Sequence, residues 1–103
     1  MTDHTRPLLI GYFQEVFFST PTEQAATRRL LEDFASREGF TVPWILFEWY
    51  DQKWTEFERL IELARNNDVK TVAIPTEADL DDRQRRRLHT EAAAQVVVAA
   101  TSP

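Results

Sequence analysis

The sequence predicts a small three-layer α/β domain, an open and mainly parallel sheet in the order βαβαβαβ with helices on both faces. Three observations point to it. Four short runs rich in β-branched and aromatic residues alternate with three longer segments whose apolar positions recur at helical spacing. Cap-forming residues stand just ahead of those segments, at Thr20, Asp51 and Thr76. Strands separated by helices are joined by right-handed crossovers, which make neighbouring strands parallel. A chain of 103 residues suits one domain. We place it at residues 8–100, between a loose polar leader (1–7) and a short tail (101–103).

The elements follow in order. Residues Leu8 to Phe18 are apolar except at Gly11, Gln14 and Glu15, the pattern of a central strand buried on both faces. Thr20-Pro21-Thr22-Glu23 offers a capping hydroxyl, proline at the first helical position and a glutamate that closes a capping box. A helix therefore starts at Pro21, with Ala26, Leu30, Leu31, Phe34 and Ala35 as its apolar stripe and Gly39 as the left-handed residue beyond its end. Thr41 to Trp49 is a second strand, and Pro43, which cannot donate to a ladder, sends it to an edge. Asp51 caps a second helix with the stripe Trp54, Phe57, Leu60, Ile61 and Ala64, broken at Asn66-Asn67. Val69 to Pro75 is a third strand. Thr76 and Asp79 form a second capping box, opening a charged helix that runs to about Ala94 with Leu80, Leu88 and Ala92 inward. Gln95 to Ala100 closes the sheet.

Composition narrows the function classes. Seventeen acidic residues against twelve basic ones give a net charge of −5, which repels a phosphate backbone unless the basic groups are segregated. Nucleic acid is therefore not the expected partner without an added DNA-binding domain. With no cysteine there is no disulfide framework and no thiolate metal site. The polar opening MTDHTRP is unlike a signal peptide, and no apolar run approaches the roughly 20 residues of a membrane span, so a cytoplasmic, membrane-free protein is expected.

Ile10-Gly11-Tyr12, Phe57-x-x-Leu60-Ile61 and Val72-Ala73-Ile74-Pro75, in this order and spacing, resemble the N-terminal catalytic domain of the serine recombinases, the resolvase/invertase family. The resemblance runs over roughly residues 8–100 and rests on the succession of motifs, since none alone is specific. It implies a bacterial setting, a resolvase-like sheet and dimerisation. It also implies an activity, DNA breakage and rejoining through a phosphoserine, which the residues then fail to support. Where the family's first strand reads Gly-Tyr-x-Arg-Val-Ser, this chain has Gln14 at the arginine, and the next serine is Ser19. The Arg-Pro-x-Phe motif becomes Trp54-Thr55-Glu56-Phe57, and Leu-Asp-Arg-Leu becomes Glu77-Ala78-Asp79-Leu80. Phosphoryl transfer depends on cations that clamp the transferring group, and losing one such donor costs about a hundredfold or more. No counterpart of the family's C-terminal helix-turn-helix is expected after the last strand. We therefore expect a catalytically inactive domain with no catalytic residue, no cofactor and no metal.

Other candidate sites are each answered by a plainer use of the same residues. Ser19 and Thr20 lie at the carboxyl end of the central strand, where open α/β sheets bind ligands, but Thr20-Pro21 fits a helix cap and no base is placed to activate either hydroxyl. Glu15, Glu48, Asp51 and Glu77 could gather at the same end as a metal or phosphoreceiver site, yet their spacing does not match one. His4 and His89 stand apart from other ligands and read as solvated. Arg83, Arg85, Arg86 and Arg87 are interleaved with Asp79, Asp81, Asp82 and Glu91 at distances suited to ion pairs on a helix face. A nucleotide-binding domain would need a glycine-rich loop, and the chain holds only Gly11 and Gly39.

The aromatic residues Phe40, Trp44, Phe47, Trp49, Tyr50, Trp54 and Phe57 crowd around the second strand and the helix after it. Strand alternation sends Trp44 and Phe47 to opposite faces, and an edge strand in a small domain has little cover for both. We take Trp44, Trp49 and Trp54 as candidate protein-contact residues, for another protein or for self-association, since large rings give contact area at low entropy cost.

Overall fold

β1 (Leu8–Glu15) runs through the interior of a four-stranded sheet, and its apolar residues point alternately to two separate cores. The computed structural model describes residues 6–15, 20–49 and 54–99. The remaining elements are α1 (Pro21–Arg37), β2 (Thr41–Trp49), α2 (Thr55–Asn67), β3 (Thr71–Ile74), a short 3-10 turn (Glu77–Asp79), α3 (Asp82–Ala92) and β4 (Gln95–Val98). The sheet order is β2-β1-β3-β4 and every pairing is parallel. The protein is thus a three-layer α/β domain, with β1 interior and β2 at an edge as the sequence predicts.

Ile10 and Tyr12 face the core that α2 and α3 cover with Phe57, Leu60, Ile61, Ala64, Leu88 and Ala92. Leu9 and Phe13 face the opposite core, under Leu31 and Ala35 of α1. At Gly11 a Cβ would stand 3.1 Å from Leu31 Cδ1 and 3.2 Å from Ile45 Cγ1, so a side chain there would make these two neighbours shift. Between Leu8 and Ile10 the pairing with β2 moves from Thr41 to Trp44, leaving an extra residue on β2 beside exposed Pro43. A bulge therefore accommodates the proline that marks this edge.

The caps divide into expected and unexpected. Thr20 Oγ1 accepts from the Glu23 N–H at 3.1 Å while the Thr20 N–H donates to Glu23 Oε1 at 2.8 Å, the predicted box, and Gly39 takes the predicted left-handed conformation at φ 81°. Ala26, placed in the inward stripe, is exposed. The proposed Asp51 cap, and Val16 to Phe18 of the predicted first strand, lie outside the described residues. α2 starts instead after Trp54, a left-handed residue whose side chain forms no cap hydrogen bond. The Thr76–Asp79 box is present but closes only the 3-10 turn. α3 begins three residues later, with its own box between Asp81 and Gln84. The third strand is correspondingly shorter than Val69 to Pro75.

With so few glycines, α2 and α3 end on the left-handed residues Asp68 and Ala93, at φ 57° and 52°. A Cβ in that conformation costs about 1–2 kcal/mol. Ala93 is exposed, so nothing packs on its methyl group that glycine would forfeit. Ala93→Gly should therefore raise stability by up to about 1 kcal/mol in urea unfolding, against the usual penalty for glycine.

Candidate functional site

In an open α/β sheet the crevice for a ligand lies beyond the carboxyl ends of the strands where the order reverses, here between β1 and β3. That junction is laced shut by the chain itself. The Gln14 N–H, near the end of β1, donates to Asp79 Oδ1 at 2.9 Å, and Gln14 Nε2 donates to the Asp79 carbonyl at 3.1 Å. The other Asp79 oxygen accepts from the N–H and hydroxyl of Thr76, at 3.1 and 2.9 Å. Arg85 fixes the same turn from α3, donating to the carbonyl and the carboxylate of Glu77 at 3.1 and 2.8 Å. Among the described residues, the polar groups of Gln14, Thr76 and Asp79 at the switch point are thereby spent on one another.

Of the carboxyl groups that might have gathered there, Glu48 and Glu77 are engaged elsewhere. Glu48 turns into the sheet, 2% exposed, and its oxygens accept three bonds: from the Tyr12 hydroxyl at 2.5 Å and from the N–H groups of Phe57 at 3.2 Å and Glu56 at 2.8 Å. It thus supplies from β2 the cap that Trp54 does not give α2, at the end of the helix that favours a carboxylate. Burial, reinforced by the bond to Glu48, pushes the Tyr12 phenol well above its ordinary range. Glu77 is engaged by Arg85, and no cluster of three metal-ligating side chains occurs among the described residues. His89 is exposed. His4, Ser19 and Asp51 fall outside those residues.

The arginine patch is largely occupied. Arg87 donates to Glu58 on α2 at 2.6 and 3.0 Å and to Glu91 at 2.7 and 3.1 Å, with its guanidinium 5.4 Å above the Phe57 ring. These bonds hold both glutamates below their ordinary 4.5 and lift Arg87 further above its own already high range. Arg83 stands 5.9 Å over the Trp54 ring. Gln84 is buried, an inward polar residue that the helix pattern of apolar positions does not reveal, and its Nε2 has no hydrogen-bond partner among the described residues.

The three tryptophans are all half-buried but do not form one patch. Trp44 and Trp54 pack against the core under α2 and α3, with Trp54 edge-on to Phe57 at 5.6 Å. Trp49 meets Phe47 edge-on at 5.1 Å. A groove of about 390 Å³ runs beside these last two rings, lined also by Ile45, Leu46, Arg28 of α1, and Glu56 and Arg59 of α2. Arg28 was not legible as part of a site, because its helix places it beside β2 only in three dimensions.

No protein-family model matches the chain, and no curated protein matches it. Among the described residues no helix is long and apolar enough to cross a membrane.

Two outcomes follow from these contacts. Glu48→Gln keeps the shape but leaves one of the α2 N–H groups facing an amide NH₂, and should lower stability by about 1–3 kcal/mol in urea unfolding. For Glu58 and Glu91 the folded value is depressed, so their contribution is present above the unfolded value and lost as pH falls through the folded one. The stability difference between the native chain and Arg87→Met should therefore be largest above about pH 5 and narrow below it.

Proposed function

We propose that this chain is a catalytically inactive resolvase-like domain that works through protein contacts. The observation that carries the reading is the Gln14–Asp79 pairing. On the resemblance, both positions are ones where a phosphoryl-transfer site calls for a guanidinium. Here they hold Gln14, whose side-chain amide donates to the Asp79 carbonyl, and Asp79, whose carboxylate accepts from the Gln14 N–H, and a carboxylate repels the phosphate that the reaction must clamp. The bacterial setting comes with the same resemblance.

The surface offered to a partner is the free side of β2, where Phe47 and Trp49 remain half-exposed beside a groove. Trp44 and Trp54 contribute less, since both pack on the domain's own core. A DNA-associated regulator is the weaker reading. The patch that would touch phosphate has Arg85 and Arg87 in ion pairs, and the net charge is −5.

The test has two arms. Incubation with supercoiled DNA and a denaturing quench should yield neither strand breaks nor a covalent adduct, and an adduct at Ser19 would overturn the reading. Trp49→Ala should weaken partner binding, or self-association in sedimentation if the partner is a second copy, by about 2 kcal/mol or more, as for an interface hot spot. Unchanged association with a fold destabilised by about 3–5 kcal/mol would make the ring core only.

A further inference from the structure

We infer that the free side of β2 takes an extended acidic peptide, which adds to the sheet as a further strand beside Ile45 to Trp49. This rests on the protein-contact reading above and names the partner's chemistry. Among the described residues β2 pairs only with β1, so the N–H and C=O groups along its other side have no partner strand. Folded proteins blunt such an edge with proline, a bulge or an outward charge. In β2 the proline and the bulge fall in the first half, at Pro43 and between Thr41 and Trp44. From Ile45 onward none of these devices is present. The one charged residue there, Glu48, is 2% exposed and has its oxygens taken by Tyr12 and α2. The four residues Ile45 to Glu48 span about 13 Å of this edge, enough for backbone pairing with a short strand.

The groove along this stretch fixes the partner's charge. Its walls carry Arg28 from α1 and Arg59 from α2, against a single carboxylate, Glu56. Arg28 makes no ion pair among the described residues. Arg59 is 61% exposed and held by Glu56 through one contact of 3.3 Å. α1 and α2 lie on opposite faces of the sheet, so the two guanidiniums flank the edge from both sides. Successive side chains of an added strand point to opposite faces as well. Neighbouring acidic residues on that strand would each meet one arginine, in the charge-assisted bonds that guanidinium and carboxylate form. A second copy fits less well. A two-fold pairing of β2 with itself brings like surfaces together, and β2 has no outward carboxylate to offer its partner's Arg28.

The test uses the whole chain and labelled peptides of about eight residues. One carries valines and paired glutamates placed on both faces, a second has lysine for glutamate, and a third has the acidic sequence with alternate backbone nitrogens methylated. The acidic peptide should bind about tenfold or more tighter than the other two. Arg28→Glu, an exposed change that leaves the core untouched, should abolish that preference. Amide hydrogen exchange should slow along Ile45 to Trp49 in the complex. Equal binding of the acidic and lysine peptides, undiminished binding of the methylated one, or protection that spares Ile45 to Trp49 would overturn the inference. Self-association that protects the same amides would overturn it too, while leaving the protein-contact reading standing. A Ser19 adduct with DNA would remove that reading instead.

Discussion

Burying a carboxyl group in a strand is costly unless each oxygen finds donors, and Glu48 finds three of them on two different elements. Its bond to Tyr12 ties β2 to β1 on the side facing α2, and its bonds to Glu56 and Phe57 set where α2 begins. Trp54 can then adopt a left-handed conformation, at a cost of about 1–2 kcal/mol, because the helix start does not rely on its side chain. Phe57, placed by this arrangement, packs on Tyr12 at 6.0 Å and on Trp54 at 5.6 Å. Arg83 and Arg87 of α3 then lie over the Trp54 and Phe57 rings. The docking of α3 on α2 depends in this way on a polar contact made in the sheet beneath them.

The order of elements was legible because each local signal agreed with the others. Thr20, Pro21 and Glu23 start α1, Pro43 marks the edge, and the stripe from Trp54 to Ala64 packs inward. The third helix was harder. The Thr76–Asp79 box has the same form as a helix start, and a single sequence does not reveal that Asp79 spends its other oxygen on Gln14 of β1. That long-range bond ends the turn before it becomes a helix, and Asp81 with Gln84 must start the helix afresh. Glu48 carried a readable warning, a lone acid in the apolar run Trp44 to Trp49. The partners that satisfy it are Tyr12, 36 residues away, and the first N–H groups of a helix whose start was placed several residues too early.

The candidate site was less legible than the fold for a related reason. The aromatic crowding was visible in composition, but its division was not: Trp54 is committed to Phe57 and Arg83, Trp44 to the core, and only Trp49 lies beside the open groove. Which ring belongs to which face follows from the extra residue between Thr41 and Trp44, and a bulge leaves no reliable mark in the pattern of alternation.

Two features of the sheet point the same way for function. At the β1–β3 junction, the place where the topology would put a ligand, Gln14, Thr76 and Asp79 have found internal partners, so an entering anion would have to break the Gln14–Asp79 bonds and then face the Asp79 carboxylate. Along the second half of β2, backbone groups lack a partner strand and Arg28 lacks a counter-ion among the described residues. Hydrogen-bonding and charge capacity left unused in the fold is what a partner can use, since those groups give up water rather than an existing internal bond when the partner arrives. On that argument the contact capacity of this domain lies at the side of the sheet, and the strand ends serve to hold the domain together.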